Sequence, residues 1–215
     1  MSTTSSPDWL EITVPSPETD HIWSLLVRAR EHYRAATSPN YDEVLWEVSQ
    51  RAEVSGSLGK ADIGALLVWK RLSARTRWAA ALMALPDTQV RAATGKAWAA
   101  VRDASVPRAL AAQAGRAALV SLPGFHKGDA LASAVLTADA PLRMAVYDSR
   151  AQRALGSLGI ALTAESGRYG RYMGIIDEIL ARRQPSEQEW TARDVDRRRL
   201  VLDGWVLTAH SFSRS

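Results

Sequence analysis

The chain has 215 residues, 47% of them hydrophobic, and carries a formal charge of +4. That length and apolar fraction exclude a mainly disordered chain and supply enough apolar surface for a sizeable core. With no cysteine present, disulfides, cysteine-ligated zinc and cysteine-ligated iron–sulfur clusters are excluded as well.

Residues 1–19 are rich in Ser, Thr and Pro and are acidic, which reads as a loosely packed arm. They contain neither the basic nor the apolar stretch of a secretory signal. Asp20 is positioned to cap a helix through Ile22, Leu25, Leu26, Ala29 and His32, apolar at intervals of three to four. A second helix is expected over 41–54, with Val44, Leu45 and Val48 on one face. The run Ser55-Gly56-Ser57-Leu58-Gly59 then breaks the pattern. Charge changes sign near this break: residues 1–50 sum to −5 and residues 51–215 to +9. The expected organisation is therefore an acidic arm (1–19), N-terminal helices (20–56) and a basic helical domain (57–215). A basic body suits a polyanion, and equally suits an arginine-rich solvated surface.

Helical patterns then follow closely. A strongly apolar one over 61–72 ends in Lys70-Arg71, and another over 76–85 stops at Pro86-Asp87, itself a start signal for 88–103. Others cover 107–122, 128–138 (ended by Pro141), 148–158 (closed by Gly159), 165–183 and 191–202. Only 144–147 competes as a strand, so the expected class is all-α. The four histidines, His21, His32, His126 and His210, form no close metal pair, and no metal site built from side chains is expected. No apolar run is long enough to span a bilayer, so the expectation is a soluble, cytoplasmic protein with no membrane partner.

Two stretches carry the chemistry. Leu122-Pro123-Gly124-Phe125-His126-Lys127-Gly128-Asp129-Ala130 reads as a tight turn opening a helix, aiming backbone N–H groups outward as a phosphate requires. Val146-Tyr147-Asp148-Ser149-Arg150 sets a carboxylate at the start of the next helix, where capping alone also selects aspartate. Trp69 lies inside the run Leu66-Leu67-Val68 and reads as core. Lys70 and Arg71 complement a helix C-terminus.

Taken in order and spacing, Leu122-Pro123-Gly124-Phe125-His126, the apolar stretch 130–136, Pro141, and Val146-Tyr147-Asp148 with Arg153 and Leu155 resemble a known pattern. The span of about 90 residues from Leu66 to Leu158 is similar to the helix-hairpin-helix DNA glycosylase superfamily, in particular its 8-oxoguanine-glycosylase-like branch. A looser likeness extends to the Tyr169/Tyr172 helix and to Trp190-Thr191-Ala192-Arg193-Asp194. The resemblance implies roughly nine to ten helices in two lobes around a DNA cleft. It implies Asp148 as the catalytic carboxylate and double-stranded DNA as partner. Gly124, Phe125, His126, Lys127, Gly128 and Arg150 would contact DNA, and Lys70, Tyr147, Tyr169 and Tyr172 would border a base pocket. No organic cofactor is implied, although hairpin carbonyls in the family hold a monovalent cation (K+ or Na+). Arg168 and Arg171 are further phosphate-contact candidates.

The chain departs from the family at two positions. Histidine stands at His126, where the family usually has glycine. Gly128 stands where bifunctional members carry the lysine that attacks the sugar, with Lys127 one residue earlier. The expected reaction is thus hydrolysis of an N-glycosidic bond without efficient strand cleavage. A DNA-binding module without catalysis is the alternative, and an all-α interaction protein with an accidental resemblance a third.

Overall fold

The computed structural model describes residues 26–28, 38–74, 76–182 and 190–197. Within them the protein is all-helical. A 3₁₀ turn, Pro39–Asp42, leads into α1 (Glu43–Ser55), followed by α2 (Lys60–Lys70), α3 (Arg77–Ala84), α4 (Asp87–Arg102) and α5 (Arg108–Leu119). Then come α6 (Ala130–Asp139), α7 (Ser149–Ser157), α8 (Arg168–Ala181) and α9 (Ala192–Arg197). Residues 26–28 are helical, as expected of the first N-terminal helix. The rest of that helix, the 1–19 arm, Arg75 and residues 198–202 of the 191–202 pattern lie outside the described residues.

The centre of the fold is α6. Every residue from Leu131 to Asp139 is buried, the mark of a helix surrounded by protein on all sides. Helices α1, α2, α4 and α5 all pack on it. Leu45, Val48 and Ala52 of α1, Ile63 and Leu66 of α2, and Val90, Ala97 and Val101 of α4 are fully enclosed around it. The closest helix partnership is α4 with α5, and α8 lies against α5 on the other side. Alanines such as Ala97, Ala111 and Ala112 at these contacts allow the axes to approach closely.

Most boundaries fall within two residues of those expected. Differences of three residues occur at the end of α5 and at the start of α8. Helix α5 stops at Leu119, three residues before the expected end, and α6 begins at Ala130, two residues after the expected start. The turn is therefore longer than the sequence suggests, and Lys127 and Gly128 belong to it. The possible strand at 144–147 is irregular backbone without a sheet. Its polar groups are met by side chains: the Ser133 hydroxyl accepts the Tyr147 amide at 2.9 Å and lies 3.1 Å from the Tyr147 carbonyl. The Tyr169 hydroxyl donates to the Ala145 carbonyl at 2.9 Å and the Tyr172 hydroxyl to the Val146 carbonyl at 3.3 Å. Buried backbone groups need partners, and here α6 and α8 supply them.

Candidate functional site

The turn between α5 and α6 is pegged from below and open above. Leu122 and Phe125 are fully buried, and their amides close onto Leu119 and Leu122 carbonyls at 3.0 and 3.1 Å. Phe125, expected at a DNA contact, therefore has neither its ring nor its amide free for a phosphate. The amides of Gly124, His126, Lys127 and Gly128 accept no such duty: they make no hydrogen bond to any described residue.

Two glycines allow the chain to bend this way, Gly124 at φ 91° and Gly128 at φ 72°. His126 has no positive φ, so the departure from glycine there costs no backbone strain. Gly124 also meets a side chain that the sequence reading passed over. A Cβ on it would lie 2.4 Å from Cε3 of Trp78, so the indole of α3 rests directly on this glycine. Nothing in the local sequence around Trp78 announces that contact.

Asp129 fixes the end of the turn. Its carboxylate accepts from Arg116 Nε at 3.0 Å and from Arg168 Nε at 2.8 Å, and a second nitrogen of Arg116 reaches the Gly128 carbonyl at 3.0 Å. Arg168 also lies over the Tyr147 ring, 5.3 Å from its centroid. It thus joins the turn to the segment before Asp148. Both arginines are committed to the protein. Arg171 likewise spends its guanidinium on the carbonyls of Thr163, Glu165 and Ser166.

Asp148 is the N-cap of α7. Its Oδ1 accepts the amides of Arg150 and Ala151 at 2.9 and 3.1 Å. Its Oδ2 faces the ammonium of Lys70 at 3.2 Å, across 78 residues of sequence. Both side chains are largely enclosed, 10% exposed for Lys70 and 16% for Asp148. The carboxylate opens on a hollow of about 350 Å³ whose other walls are Trp78, Gly124, Lys127, Gly128 and Tyr147. The turn and the aspartate, separate in sequence, therefore share one cavity.

The remaining expected residues lie elsewhere. Tyr169 and Tyr172 are buried behind Tyr147, with the Tyr172 ring 4.9 Å from that of Tyr147, and they support this wall rather than lining it. The Arg150 side chain is exposed on α7, outside the hollow. His126 faces a second hollow of about 440 Å³ on the opposite side of the turn, shared with Arg116 and Gly167. Trp69 is core as expected, its indole N–H donating to Asp42 at 3.1 Å.

A wider depression of about 710 Å³ lies between α1 and α2, but its charged groups are paired among themselves, Arg51 with Asp62 at 2.6 Å and Arg91 with Asp62 at 3.8 Å. For a monovalent cation at the turn, the Gly128 carbonyl is the informative oxygen. The Arg116 guanidinium already occupies it, and like charge opposes a second cation there. The Gly128 oxygen is thus taken, and no chemistry is assigned to such a cation.

No protein-family model, curated protein or solved structure matches the chain.

Proposed function

We propose that the protein is a DNA glycosylase of helix-hairpin-helix type. It swings a modified or damaged base out of duplex DNA, in base excision or in defence against phage DNA carrying modified bases. The observation that supports this best is the shared hollow. It is lined by the Asp148 carboxylate and by a turn whose amides at Gly124, Lys127 and Gly128 are unused. In this reading α5, the turn and α6 are the hairpin, and the helices divide into two lobes around a DNA cleft.

The chemistry follows from the carboxylate. As the C1′–N bond breaks, its electron pair leaves with the base and positive charge develops on the sugar, which a fixed anion stabilises. Water then bonds to C1′ and passes its proton to Asp148. The product is an abasic site. Lys127 sits in the turn, with no bond to Asp148, and hydrolysis without strand cleavage is the expected course. The unused amides and Lys127 grip phosphate, and Trp78, on the wall of the hollow, offers aromatic surface to the extruded base.

The test uses duplexes carrying a panel of oxidised, alkylated and hypermodified bases, treated with heat or alkali to reveal abasic sites. Excision that disappears in Asp148→Asn is expected; no abasic site from any base removes the proposal. A second reading is a DNA-binding module without catalysis. It is favoured by the double duty Asp148 already performs as helix cap and ion-pair partner. Salt-sensitive binding without excision would select it.

A further inference from the structure

Lys70, expected at a base pocket, is paired with Asp148. It ends α2, a helix whose Ile63, Leu66, Leu67 and Trp69 are buried, so its last residue is held in place by the core. The chain then turns sharply. Arg71 has φ 53°, the one non-glycine residue with positive φ among those described. The Leu72 amide folds back onto the Leu67 carbonyl at 2.9 Å. Glycine is the usual choice for such a stop, and a strained arginine in its place points to a geometry kept for a purpose. The consequence of the stop is that Lys70 is the final helical residue. Its ammonium lies 5.4 Å from the Trp69 ring centroid and 3.2 Å from Asp148 Oδ2.

The two carboxylate oxygens of Asp148 are thereby divided. Backbone amides of α7 hold Oδ1, and Lys70 holds Oδ2. The same hollow is bordered by Lys127 and Arg168, but Arg168 is committed to Asp129 at 2.8 Å. Among the described residues, Lys70 forms an ion pair with Asp148.

We propose that Lys70 is the positioning residue of the excision reaction, holding Asp148 in orientation and charge balance beside the sugar. This rests on the glycosylase reading. It predicts a split between binding and chemistry. In single-turnover excision with a base that the wild type removes, Lys70→Met lowers the rate on the order of 10²-fold, with DNA affinity and its salt slope nearly unchanged. The acid limb of the pH–rate profile moves to higher pH, because the carboxylate loses a neighbouring cation. Lys70→Arg restores most of the rate and the original profile, while circular dichroism and thermal melting show that each variant is folded.

Loss of affinity with a flatter salt slope and an unaffected rate would make Lys70 a phosphate contact and overturn the proposal. So would a wild-type rate and profile in Lys70→Met. Borohydride capture of a covalent complex in the wild type that is absent in Lys70→Arg would also overturn it, since the amine would then bond to sugar carbon. Wild-type protein that excises nothing removes the glycosylase reading and this proposal together, whereas excision unaffected by Lys70→Met removes only the latter.

Discussion

The two ends of α6 carry acidic residues ten positions apart and treat them in opposite ways. At the start, Asp129 is bound by two arginines beside an open turn, with two positive-φ glycines and the Asp148 hollow alongside. At the finish, Asp139 is fully buried, and neither carboxylate oxygen has a hydrogen-bond partner. Arg102 is near, but its guanidinium bonds the Asp139 carbonyl, at 3.0 Å, and not the carboxylate. Burial therefore raises the Asp139 carboxyl well above the ordinary range. Arg102 opposes the rise only in part, and Asp62 adds to it. The helix dipole also disfavours an anion at a C-terminus. What an acid does at a helix end is thus decided by the partners that neighbouring helices bring. The supplied end holds a charged site and the unsupplied end favours a neutral acid.

The sharpest way to break the contrast is at the supplied end. Asp148→Asn keeps a cap acceptor for α7 but removes the anion, and excision in the gel assay is expected to fall by about 10²- to 10⁴-fold. Retained activity would detach the hollow from the chemistry. Gly124→Ala is next. It combines a positive φ with a clash against Trp78, and urea unfolding is expected to show a loss of about 2–5 kcal/mol.

The unsupplied end is tested by pH. Because the folded protein holds the Asp139 proton more tightly than the unfolded chain does, this group's contribution is fully present below the unfolded value near 3.8. It is lost as pH rises through the raised folded value. Stability from urea titrations should therefore decline with rising pH by at most about 1.4 kcal/mol per unit from this residue. Asp139→Asn should flatten that decline, and an unchanged slope would mean that Asp139 finds a partner in solution. Smallest is Gly128→Ala. Open space surrounds its Cα, so only the left-handed φ is penalised, by about 1–2 kcal/mol in the same unfolding measurement.

The sequence made the helices legible because apolar spacing and Pro or Gly punctuation set most of them, from the break at Gly56 to the stop at Pro141. It made Asp148 legible as a helix-start carboxylate one helix beyond the turn. It did not make the length of the turn legible. Ending α5 at Leu119 depends on Leu122 and Phe125 finding core, a long-range matter that local propensity does not encode. Nor did it reveal the pairing of Lys70 with Asp148, the Trp78 face on Gly124, or the arginines on Asp129. Each joins residues from different helices. The tyrosines at 169 and 172 have an ordinary core spacing, and their role as donors to 145 and 146 appears only once α8 meets that segment.

The segment from Met144 to Tyr147 is held in place differently from a strand. A strand in a sheet inherits its position from a ladder of equivalent bonds, and it slips by whole residues when it slips at all. Here three hydroxyls, from Ser133, Tyr169 and Tyr172, each hold a different backbone group. Each tether is separately replaceable, so the depth of Asp148 is open to small, graded adjustment by core residues that do not line the hollow.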